Sequence, residues 1–157
     1  MSLIVFSQVP LEPASLLRAA NQVSRSLPAP LDLDVAGFEE TAALGAPTGH
    51  PRLISARLSV DVSHRDATAR YGLDQHANDD LNRGLAREAE KRGNAHGMAQ
   101  LAERCPWVWR VASDGPLESP LTWLLCATLA ACGLGPVLPP DQATLFGVRG
   151  ARIRAGV

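Results

Sequence analysis

The run from Ser119 to Pro140, SPLTWLLCATLAACGLGPVLPP, limits the fold more than any other part of the chain, because no charged residue occurs between Leu121 and Leu134. A helix built from it is apolar on every side and must sit inside something. Its ends are marked. Ser119 can accept a hydrogen bond from a free amide of the first turn, and Pro120 occupies the first helical position, where a missing N–H costs nothing. Gly133 and Gly135 offer a left-handed exit, and Pro136 forbids continuation. The body is about fourteen residues, roughly 21 Å at 1.5 Å per residue. A membrane span needs about twenty, and no Lys/Arg cluster flanks the run. The expectation is a buried core helix, with the rest of the chain as its cover.

The 157 residues suit one domain of ordinary size with a real hydrophobic core. Fifteen basic against sixteen acidic residues leave a formal charge of −1, which gives no general attraction for nucleic acid or anionic lipid. The N-terminal MSLIVFSQVP has too short an apolar run for a secretory signal and lacks a preceding positive charge, so a cytoplasmic protein is expected. Three cysteines, Cys105, Cys126 and Cys132, show neither metal-ligand nor redox spacing. They read as small buried hydrophobes in a reducing compartment.

Periodicity assigns the other elements. Leu3 to Phe6 reads as a strand buried on both faces. From Glu12 to Leu27, apolar residues recur at three and four, between Pro13 and Pro28, as in an amphipathic helix. Leu31, Leu33 and Val35 alternate with Asp32 and Asp34, which predicts a strand with one acidic wet face. Glu39 to Pro51, with its glycines and prolines, reads as a loop. The clearest alternation follows, with Ile54, Ala56, Leu58, Val60 and Val62 inward. A one-residue slip would turn all five into water, so register is fixed.

His64 to Asn78 reads as a loop or a poorly formed helix start. From Asn78 or Asp79 to Arg104 the spacing is helical but interrupted, with Gly93 ending one helix and Asn94 capping a second. Trp107 to Ala112 fits a strand, and Ala143 to Ile153 a last strand weakened by Gly147 and Gly150. The expected fold is a single-domain α+β sandwich: an antiparallel or mixed sheet of about five strands with helices packed on one face. The order βαββαβ, then αβ, matches the split βαβ arrangement of ferredoxin-like cores.

Chemistry-bearing side chains cluster only between Asp61 and Asp80. There His64, Arg65, Arg70, Tyr71 and His76 form the candidate polar site of a small enzyme. The spacing fits no metal motif, and no cofactor is implied. The letters HRD at 64 to 66 lack the glycine-rich loop and paired lysine of a kinase. Cys105 with His96 is a weaker nucleophile pair, since a reactive thiol needs a positive, partly open setting. Gly133 and Gly135 follow a helix rather than open one and make no phosphate cradle.

Charge is uneven along the chain. No basic residue lies between Arg25 and Arg52, where Asp32, Asp34, Glu39 and Glu40 are all acidic, and beyond Asp141 only Arg149, Arg152 and Arg154 are charged. The primary expectation is a non-enzymatic protein-binding domain, such as an inhibitor, an immunity-type neutraliser or an assembly factor. Its partner is another, basic protein, or a second copy in a homodimer joined acidic end to basic end. Exposure of Trp107 or Trp109 would add to that reading, since Trp is enriched at interface hot spots. Neither nucleic acid nor membrane is expected as a partner.

Overall fold

Leu3–Ser7 forms strand β1, and all five of its residues are buried. Alternation sends Leu3 and Val5 to one face and Ile4 and Phe6 to the other, and each pair joins a separate apolar cluster. This interior strand therefore has helices on both sides. In a computed structural model, residues 2–42 and 54–157 are described. The elements are β1, α1 (Pro13–Ser24), β2 (Leu31–Ala42), β3 (Ile54–His64), β4 (Ala67–Ala77), α2 (Asp80–Gly93), α3 (Met98–Arg104), β5 (Trp107–Ser113), α4 (Pro120–Gly133), β6 (Val137–Leu138) and α5 (Val148–Ala155). The strands make one six-stranded sheet in the order β2-β3-β4-β5-β1-β6, and every pairing is antiparallel.

The charge-free run behaves as its composition requires. Ser119 Oγ accepts from the Thr122 amide, Pro120 opens α4, and Leu121 and every residue from Leu124 to Ala130 are buried. α1 and α5 cover one side of α4, and the inward side chains of β1, β3, β4 and β5 form its floor. Each fully buried leucine there contributes about 1.5–3 kcal/mol by leaving water. The glycines at its end serve closeness rather than a left-handed turn. Leu134 takes the left-handed position, with φ 56°. A Cβ on Gly133 would stand 2.8 Å from Ser7 Oγ, and one on Gly135 2.0 Å from the Phe6 carbonyl oxygen. Both glycines let the chain pass directly against β1.

The second face is only partly covered. α2 and α3 pack their alanines on Ile4, Phe6, Val108 and Leu138, so helices lie on both faces and not on one as expected. The opposite face of β2, β3 and β4 stays open among the described residues. Three strands, β3, β4 and β5, lie between β1 and β2 where a split βαβ unit places one, so the ferredoxin-like order is not formed.

Several segments differ from their expected form. His64 to Asn78 holds a full strand, β4, not a loop or helix start. Its inward positions are Ala69, Tyr71, Leu73 and Gln75, and the small and amide side chains hide the alternation. Gln75 is tolerated there because its Oε1 accepts from the Leu11 amide at 2.6 Å and from Trp109 Nε1 at 3.0 Å. Glu39 to Ala42 continue β2 rather than opening a loop, while residues 43–53 lie outside the described residues. A bulge between Val35 and Gly37 shifts the pairing, so Phe38 faces inward opposite Leu58 although it breaks the odd-numbered series.

Asn94 does not cap α3. It ends α2 in the left-handed region, and Gly97 precedes α3. The last expected strand, Ala143 to Ile153, is mostly helix α5, with Phe146 making a single bridge to Val137. Gly150 allows the fold-back, since a Cβ there would meet the Phe146 side chain at 2.6 Å. Arg154 then lies 4.4 Å over the Phe146 ring, which holds α5 against the core.

Candidate functional site

Strand register arranges the open face in rows. One runs Glu39, Arg57, Asp74, Arg110, and another Asp34, Asp61, Arg70. Between them lies a row of small residues, Gly37, Ser59, Gly72 and Ala112. Arg57 Nε donates to Asp74 Oδ1 at 2.8 Å. Arg70 holds Asp61 with two bonds, Nε to Oδ1 at 2.8 Å and Nη2 to Oδ2 at 3.0 Å. The hydrogen bond from Arg70 keeps the Asp61 carboxyl below the usual carboxylate range, and the carboxylates of Asp61 and Asp74 raise Arg70 and Arg57 respectively.

These pairs sit on β3 and β4. Asp32 and Asp34, exposed on the outermost strand β2, have no ion pair among the described residues, and Asp34 stands opposite Asp61, another carboxylate. The face therefore becomes more acidic towards the β2 edge. The bulge brings Glu39 to the same side as Asp32 and Asp34 despite the odd interval, whereas Glu40, opposite inward-facing Ala56, is turned to the other side. Three of the four expected acidic residues thus share one surface.

The polar candidates do not converge. His64 and Ala67 flank the two-residue turn that joins β3 to β4, whereas His76 lies at the far end of β4. Nine steps along the strand separate Ala67 from His76, about 30 Å at roughly 3.3 Å each. They also differ in face: His64 follows inward-facing Val62 and places its Nδ1 3.3 Å from the Pro30 carbonyl oxygen, while His76 is on the open face. Arg65 occupies the turn itself, with φ 55°. With His64 and Asp66 it lines a cleft of about 630 Å³ floored by Leu121 and Leu124.

Tyr71 is buried, and its hydroxyl lies 2.7 Å from Thr122 Oγ1, tying β4 to the first turn of α4. That is a packing role. No group of three or more His, Cys, Asp or Glu side chains able to hold a metal occurs among the described residues. Burial pushes the Cys105 thiol up to about 11 and moves Cys126 and Cys132 in the same direction, so none is a ready nucleophile at neutral pH. His96 is exposed, and Cys105 is held by its contact to the Leu101 carbonyl at 3.3 Å.

Sequence reasoning missed the partners in these rows. Arg57, Asp74 and Arg110 lie far apart in the chain, and only the existence of β4 aligns them. The alternation of β3 did place Arg57 and Asp61 outward. Trp107 and Trp109 are both buried, so the aromatic support for an interaction surface is lost. No helix of the described residues is long and apolar enough to cross a membrane. No family model, curated protein or solved structure matches this chain.

Proposed function

We propose that the chain is a non-enzymatic protein-binding domain, of the inhibitor, immunity-type or assembly-factor kind, which takes a basic partner along the β2 side of its open sheet face. One observation carries the reading. The arginines Arg57 and Arg70 are engaged by carboxylates of β4 and β3, so the outward field at the edge is chiefly that of Asp32 and Asp34, with Glu39 adding to it although Arg57 opposite offsets part of its charge. Such a surface accelerates encounter with cationic proteins and repels acidic ones. The enzyme alternative built on His64, Arg65, Arg70, Tyr71 and His76 is weakened because, among the described residues, His64 and Arg65 line one cleft, Arg70 and Tyr71 a second and His76 a third.

The test is carbodiimide coupling of carboxylates to partner lysines in the complex captured by the whole chain. Expected couplings map to Asp32, Asp34 and Glu39, and the variant Asp32→Lys/Asp34→Lys loses at least tenfold in affinity with its thermal unfolding unchanged. Couplings confined to the α2–α3 side, or an unchanged affinity in the variant, would reject the reading.

A further inference from the structure

The backbone of β2 states how a partner would be held. Ser24 Oγ accepts from the Leu31 amide at 2.9 Å and donates to the Leu31 carbonyl at 3.1 Å, so both polar groups of Leu31 point away from β3. Its register partner His64 closes the turn with Ala67, which commits the His64 backbone to β4 and agrees with that orientation. In an antiparallel ladder the N–H and C=O of one residue point to the same side, and successive residues alternate. Asp32 and Asp34 therefore bond β3, while Leu33 and Val35 direct their N–H and C=O groups to the outer edge. Among the described residues no hydrogen bond reaches those groups.

Side chains give this edge two chemistries. Asp32 and Asp34 stand exposed on the open face, and Leu33 and Val35 stand half-buried on the helix-covered face, at the margin of the core. A strand laid about 4.8 Å outside β2 meets carboxylates at every second position and incompletely covered apolar groups at the others. We infer that Leu31–Val35 receives an extended segment of the partner by strand addition, and that the segment alternates Lys or Arg with apolar residues. This rests on the basic-partner reading above. A second copy is the wrong occupant, because pairing two such edges sets Asp32 and Asp34 against like charges. The bulge after Val35 ends the regular edge, so the bound stretch is about five residues.

Labelled octapeptides titrated against the whole chain at low salt test this. The first alternates lysine with valine. The second has the same composition in two blocks, all the lysines before all the valines. The remaining two are the alternating peptide N-methylated either on every lysine or on every valine. The alternating peptide is expected to bind at least tenfold more tightly than the block peptide. One of the two methylated peptides should lose at least tenfold and the other bind normally, since only alternate amides of an added strand face β2. The variant Asp32→Asn/Asp34→Asn should weaken the alternating peptide at least tenfold. Equal binding of every peptide would overturn strand addition while leaving attraction for basic partners intact. Binding of none would overturn both.

Discussion

Tyr71 shows how a polar group at a core position is made tolerable. Its hydroxyl meets Thr122 Oγ1, and Thr122 is also 3.0 Å from the cap residue Ser119, so one small network joins β4 to the start of α4. Removing a single hydroxyl from it costs about 1 kcal/mol. Tyr71→Phe should lower the melting temperature by about 2–4 °C, read by calorimetry. An unchanged melting temperature would mean that the pair does not anchor the helix. Cys105 supplies a pH signature. Its thiol binds its proton more tightly folded than unfolded, so its contribution is complete below the ordinary thiol pKa of about 8.5. That contribution is lost as pH rises towards about 11. Stability should fall across that window, and less steeply in Cys105→Ala; equal slopes would remove Cys105 as the cause.

Among the elements, α4 is the most legible in the sequence, because a run without charge admits one placement and Ser119, Pro120 and Pro136 mark its limits. β3 is equally legible from strict alternation. β4 is not, since Gln75 and Ala69 occupy inward positions and the pairing that satisfies Gln75 comes from Leu11 and Trp109, remote in sequence. α5 escapes local reading because isolated Phe146 and Val148 imitate a strand, and the packing of Arg154 on Phe146 is a tertiary event. The glycines separate in the same way. Gly135→Ala drives a methyl into the Phe6 carbonyl and should cost more than about 2 kcal/mol. Gly72→Ala, with open space above it on the sheet face, should stay within about 0.5 kcal/mol of the parent. Denaturant unfolding of the two variants compares them directly, and equal losses would show that the approach of α4's end to β1 is slack.

The whole molecule divides its sheet by function of cover. One face is filled by α1, α4 and α5, the other is half covered by α2 and α3, and what remains open ends at β2. Asp32 and Asp34 are visible in the sequence as a wet acidic strand face, and Glu39 as part of the same acidic stretch. That Glu39 joins them while Glu40 does not depends on the bulge, which no local pattern announces. The candidate histidines are neighbours in sequence only, because His64 stands at the turn of the hairpin and His76 at its open end. Charge reversal at Asp32 and Asp34 should leave folding intact, as expected for exposed positions. It should remove recognition.

Residue-resolved amide hydrogen exchange on the free chain tests most directly whether β2 offers an open edge. Asp32 and Asp34 should exchange slowly, as partners of β3, and Leu33 and Val35 within the time of an unprotected amide. Equal protection of all four would mean that the edge is already covered, and the proposed binding strand would not exist.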